Sequence, residues 1–174
     1  MGSPNATRNL TLLRGPIDLQ TALQEDDNIL QQLTYPSRRV DFFVHHYEHI
    51  GDIETIVAYH LRIAPSRCHI SKVAEWIHGS FNVCIPIGVS DGYYAGKRVL
   101  IRFPLPYKVG ESQYPGNAEE KLRCEVAAYI WIKENCPAVP ISRLLGFGFP
   151  NKRTVRLPYV CKPKIVPDYD FYSS

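Results

Sequence analysis

Three groups of residues in this 174-residue chain are of types and spacings that could do chemistry. The first is Arg102 with Glu125. Arg102 lies in Lys97-Arg-Val-Leu-Ile-Arg-Phe-Pro-Leu-Pro, and Glu125 lies in Glu119-Glu-Lys-Leu-Arg-Cys-Glu-Val-Ala-Ala-Tyr. Three residues after Leu122 and four before Tyr129, Glu125 emerges on or beside the apolar stripe of a helix. A carboxylate there is costly to bury unless paired, and Arg102 on the preceding strand is the candidate partner. The competing reading leaves Glu125 at the stripe's edge, bonded to Arg123 or to water. The second group, His45-His46-Tyr47-Glu48-His49, matches His-x-x-Glu-His, in which two histidines one turn apart bind zinc beside a glutamate base. No downstream carboxylate stands in a matching motif, so a solvated histidine-rich face is the better reading. The third is Asp168-Tyr-Asp170, which could be imagined holding a metal. It follows a basic run of Lys152, Arg153, Arg156, Lys162 and Lys164 that reads as a solvated tail.

The elements that position these residues are legible in outline. Val83, Ile85, Ile87 and Val89 recur every second residue, as do Val99, Ile101 and Phe103, with Leu100 and Arg102 on the opposite face. Asp91-Gly92 and Gly96 lie between the two runs and supply the positive φ a reversing connection needs, so a hairpin is expected. A helix follows, with Asn117 as its cap, Glu120 in a capping box and Pro137 as its stop. Glu119 and Glu120 favour the positive end of its dipole. Leu122, Val126, Tyr129 and Lys133 keep helical spacing.

Upstream, residues 1–17 show no periodicity and are expected to be loose. Leu19, Leu23, Leu30 and Leu33 suggest a helix with one apolar edge, interrupted by Asp26 and Asp27. After Tyr35-Pro36-Ser37, the stripe Val40, Phe43, Val44, Tyr47 and Ile50 predicts a helix ending at Gly51. Asp52 is placed to cap a second helix with Ile56, Val57, His60 and Leu61 on one face, ended by Pro65. These stripes are too apolar for short helices to carry alone, so residues 37–63 should dock on the sheet that begins at Val83.

Totals narrow the classes. The length suits one domain with a real core, and a formal net charge of +3 is too mild to argue for nucleic acid. No apolar run approaches a membrane span, and no secretory signal opens the chain. Asn5-Ala-Thr7 and Asn9-Leu-Thr11 therefore read as chance matches to glycosylation acceptors. Five cysteines without a Cys-x-x-Cys pair fit reduced thiols and a cytoplasmic location better than a disulfide framework.

Gly79-Ser-Phe-Asn82, Val99-Leu-Ile-Arg-Phe-Pro-Leu-Pro106 and Pro115-Gly-Asn-Ala-Glu-Glu-Lys-Leu-Arg-Cys-Glu125, taken together, resemble the N-terminal lobe of the aminoglycoside-phosphotransferase-like family, the small-molecule branch of the protein-kinase-like fold. The likeness is to fungal-type members and covers about residues 36–149, with Pro137 to Gly148 resembling the lobe's next strand. The resemblance implies an α+β kinase-like lobe, a small antiparallel sheet with one long helix, preceded by helices. The implied division is a leader at 1–35 with a possible short helix, a helical preface at 36–66, the small lobe at 67–149 and a basic, divergent tail at 150–174.

It also implies ATP with Mg²⁺ as cofactor. Gly79, Ser80 and Asn82 would lie in the phosphate-side turn, Arg102 in place of the strand lysine, and Glu125 in place of the helix glutamate. Two departures stand out. Arginine brings a planar fork where the family has a point charge, and the turn has one glycine where a protein kinase has three. His49-Ile-Gly-Asp52 has neither the spacing nor the chain position of a catalytic loop. The catalytic Asp, Asn and metal-binding Asp of a large helical lobe have no counterpart here, so no catalytic or metal residue is assigned. The expected product is a truncated, nucleotide-side lobe, inactive alone, whose relatives phosphorylate small-molecule hydroxyls. The alternative is a non-enzymatic interaction module whose uncovered lobe face binds a protein partner. Neither reading calls for nucleic acid or membrane.

Overall fold

Val83, Ile85 and Ile87 expose none of their surface, and Val89 almost none. The computed structural model, which describes residues 9–150 and 154–157, places these side chains inside a mixed α+β architecture. The chain divides into two compact units, Met1–Ala118 and Glu119–Ser174.

The first unit opens with an antiparallel hairpin of β1 (Leu10–Leu12) and β2 (Gly15–Ile17). Two short helices follow, α1 (Leu19–Leu23) and α2 (Ile29–Gln32). Asp18 and Asn28 cap them, their side-chain oxygens accepting from Thr21 N at 2.8 Å and Gln31 N at 3.0 Å. Then come α3 (Tyr35–Glu48) and α4 (Ile50–Leu61), with His49 alone between them. Strands β3 (Cys68–Ile70), β4 (Ile77–His78), β5 (Asn82–Val89) and β6 (Arg98–Pro104) complete an antiparallel four-stranded sheet.

Strand β5 is the centre of this sheet. On one edge β6 accompanies it from Asn82↔Pro104 to Gly88↔Arg98. The other edge is shared, β4 pairing at Val83 and Cys84 and β3 from Ile87 to Val89. Pro86 sits where the partner changes. Its carbonyl accepts from Ser71 N at 2.9 Å, and its missing N–H falls on the same edge, opposite Ser71 O, which accepts from Trp76 Nε1 at 3.1 Å instead. The connection to β6 uses Gly92 and Gly96 at φ 72° and 75°, as the sequence requires. Asp91 closes it by accepting from Gly92 N at 2.7 Å.

Helix α3 packs on the core face of the sheet through Phe43, a member of the predicted stripe, and through Phe42 and His46, which lie outside it. His78, Val83 and Phe103 form one cross-strand row. Phe43 meets His78 and Trp76 with ring centroids 6.2 and 5.4 Å apart, and His46 meets Phe103 at 4.6 Å. Phe42 reaches the buried Tyr107. Val40, Val44 and Tyr47 are 60%, 50% and 59% exposed. Aromatic rings one residue around the helix offer more area than valines, and they take His46 inward with them. In α4, Ile53, Val57 and Ala58 are buried and the expected Ile56 is exposed. Glu54 of α4 accepts from Ile70 N at 3.0 Å, tying the helix to β3.

Other boundaries also shift. Gly51 lies inside α4, and Asp52 stands in its first turn and does not cap it. Arg62, at φ 60°, ends α4 before Pro65, with Ile63 N donating to Ala58 O at 3.2 Å. Residues 10–17, expected to be loose, bury Leu12 and Ile17. The expected Leu19–Leu33 helix is the pair α1 and α2, with Leu19, Leu23 and Leu30 exposed.

Helix α5 (Asn117–Asn135) leads into the second unit, where β7 (Gly146–Gly148) and β8 (Thr154–Arg156) form an antiparallel hairpin. Val126 is the buried residue of α5, and the Arg123 guanidinium lies 4.3 Å from the Phe149 ring centroid. Among the described residues, no helix is long and apolar enough to cross a membrane, and Cys68, Cys84, Cys124 and Cys136 are free thiols.

The two sides of α3 make opposite predictions for stability. Phe43→Ala should cost about 2 kcal/mol or more in chemical denaturation, through lost contacts with Trp76 and His78. Val44→Ser should stay within about 0.5 kcal/mol of wild type. The reverse order would place the packed side at the Val40–Val44–Tyr47 stripe.

Candidate functional site

Cross-strand register puts two of the nominated residues, Asn82 and Arg102, on one side of the sheet. Arg102 lies opposite Cys84, and Cys84 lies opposite Ile77, so the three form a row on the side of the sheet away from the Val83–Ile85–Ile87 core. Leu100 lies on that side too, paired with Pro86. Leu100 is 59% exposed and Ile77 56%, two large aliphatic groups in water near an exposed guanidinium.

At the end of this row the chain turns through Gly79-Ser80-Phe81 from β4 into β5. Gly79 N donates to Asn82 O at 2.9 Å, and Phe81 O accepts from Leu105 N at 2.8 Å. The turn is thereby tied to the residue that follows β6. A Cβ on Gly79 would meet nothing within 4 Å, so the space beside the turn is open. Its own amide is engaged in the turn and is not aimed at a phosphate. Asn82 begins β5 opposite Pro104.

Glu125 lies on α5, half-buried, and its ion pair within the helix is with Lys121 one turn earlier. Arg123, the local partner expected for it, pairs with Glu119, Nε donating at 3.1 Å. Both pairs have i,i+4 spacing, which places side chains together, whereas residues two apart diverge. Arg102 belongs to the first unit and Glu125 to the second.

The start of α5 corrects the expected capping box. Asn117 does not accept from the first turn. Its side-chain amide donates to Val109 O at 2.9 Å, and its backbone N–H donates to Tyr114 O. Glu111 takes the capping role from outside the helix, accepting from Gly116 N at 2.7 Å and Ala118 N at 2.6 Å. These two bonds hold its carboxyl below the usual glutamate range. Sequence templates look for a cap within three residues, and this one reaches across a folded-back loop. The loop's Glu111, Pro106 and Tyr107, with Arg38, Asp41 and Phe42 of α3, also line an open cleft of about 360 Å³. None of the nominated nucleotide-site residues lines it.

In α3 the ring centroids of His45 and His49 are 4.3 Å apart. His46 is turned inward, and burial lowers its pKa from the usual histidine value. Among the described residues, no three His, Cys, Asp or Glu side chains are grouped to hold a metal. Lys152, Arg153, Lys162, Lys164, Asp168 and Asp170 lie outside the described residues, and Arg156 ends β8. Comparison with protein-family models, curated proteins and solved structures found no match to this chain.

The Glu111 cap predicts an acid-limb effect with a definite sign. A carboxyl depressed in the folded state stabilises fully above its unfolded pKa, and that stabilisation is lost as pH falls through the folded value. Wild type should be more stable than Glu111→Gln near neutral pH. The difference should shrink below the ordinary glutamate pKa of about 4.3. Equal stabilities across the whole range would remove Glu111 as the cap.

Proposed function

We propose that this chain provides the nucleotide-side lobe of a kinase-like, aminoglycoside-phosphotransferase-like protein, with ATP and Mg²⁺ as its cofactor. The observation that carries the reading is the outward sheet row of Ile77, Cys84 and Arg102, with Leu100 beside it and the Gly79 turn at its end. Exposed aliphatic side chains suit the flat face of a nucleobase, and a guanidinium suits phosphate oxygens, which it can clasp bidentately. The order of elements supports it: hairpin turn, basic strand, then a helix bearing Glu125. In this reading Arg102 holds the phosphates, and Gly79, Ser80 and Asn82 form the turn above them. Mg²⁺ enters with the triphosphate, whose oxygens it prefers.

A second reading, a non-enzymatic module that binds a protein partner, draws on the exposed Val40–Val44–Tyr47 side of α3. The two readings separate on nucleotide affinity.

A fluorescent ATP analogue titrated into the full chain with Mg²⁺ should bind saturably. Arg102→Ala should weaken binding about tenfold or more, the scale of a hydrogen bond to a charged group. Arg102→Lys should recover only part of it, because the fork is lost. The 174 residues contain no His-x-Asp motif, so phosphoryl transfer to small alcohols should stay at background. Absence of saturable binding, or binding indifferent to Arg102, would favour the partner-binding reading.

A further inference from the structure

The corner between α3 and α4 carries two imidazoles that the nucleotide reading does not use. His45 stands in the last turn of α3, and His49 is the single residue linking the helices. Both are exposed, and their rings are tilted 40° with centroids 4.3 Å apart. His49 Nδ1 lies 2.7 Å from the carbonyl oxygen of His45. A carbonyl only accepts, so Nδ1 carries the proton and the lone pair of the neutral ring sits on Nε2. Metal-binding histidines are commonly oriented by this kind of bond from the other ring nitrogen to a backbone carbonyl. His46 is excluded by its own geometry. It is half-buried, packed on Phe42 and Phe103.

We propose that His45 and His49 form a two-imidazole site for a borderline divalent transition ion such as Ni²⁺, Zn²⁺ or Cu²⁺, with water completing the coordination. Imidazole pairs suit these ions and disfavour Mg²⁺, so the site is distinct from the metal that accompanies a nucleotide. No third His, Cys, Asp or Glu among the described residues joins the pair in a larger group, which makes it a surface clamp and not a closed structural zinc centre. The clamp acts where support is thin. His49 ends α3 and precedes α4, and no side-chain bond caps the start of α4. A bound ion ties the last turn of α3 to this corner and stabilises the folded chain by mass action.

The test uses the full chain without an affinity tag, in a non-coordinating buffer, with NiCl₂ as the probe. Calorimetry should show saturable binding at one ion per chain, and the melting temperature should rise with Ni²⁺ and not with Mg²⁺. His45→Ala and His49→Ala should each weaken binding about tenfold or more. His69→Ala, at an exposed position of β3, should leave it unchanged. Should a variant prove unstable, sub-stoichiometric Ni²⁺ on wild type should broaden the imidazole resonances of His45 and His49 before those of His69 and His78. No binding at millimolar Ni²⁺, unchanged affinity in the double variant, or broadening that starts at other histidines would overturn the site.

Discussion

The burial of one side of β5 is the constraint on which the first unit depends. Val83, Ile85 and Ile87 are fully buried, and each large aliphatic side chain so buried stabilises by about 1.5–3 kcal/mol. A strand at a sheet's centre fixes register on both edges, because a slip of one residue would send this row to the other side. Register therefore does more than build the core. It sets Arg102, Cys84 and Ile77 in line on the outward side, as a consequence of hiding Val83, Ile85 and Ile87.

The segment after β6 binds the sheet to the helix start by a different means. Leu105 and Tyr107 are buried, Leu105 N is bonded to the turn before β5, and Glu111 reaches forward to the amides of Gly116 and Ala118. The turn carrying Gly79 and the first turn of α5 are thus both held by residues 105–111. This segment has little regular structure, yet it bonds to Phe81 O through Leu105 N and to the Gly116 and Ala118 amides through the Glu111 carboxylate. A connection of this length between a strand and a helix is seldom idle.

Period-two alternation made β5 and β6 readable, and the glycines at 92 and 96 made their connection readable, because each signal is local and has one physical cause. The direction of α3 was not readable by the same logic. Val40-x-x-Phe43-Val44-x-x-Tyr47 is a sound helical stripe, and so is Phe42-Phe43-x-x-His46, and the choice between them depends on Trp76, His78 and Phe103 far along the chain. Glu111 was hidden for the same reason, since a cap supplied from a folded-back loop has no fixed spacing. Of the nominated site, Asn82 and Arg102 share a side of the sheet through register, which sequence alternation encodes. Glu125 depends on how a helix is placed, which alternation does not encode.

An antiparallel sheet packed on one side usually alternates apolar inward with polar outward. This sheet obeys the inward half of the rule and only part of the outward half. Ile77, Cys84 and Leu100 share the outward side with the polar His69, Asn82, Arg98 and Arg102. Large aliphatic side chains left more than half exposed at Ile77 and Leu100 gain nothing for the fold in that position. In the proposed reading, a ligand with an apolar plane and an anionic end would cover them beside Arg102, which lies one cross-strand step from Cys84.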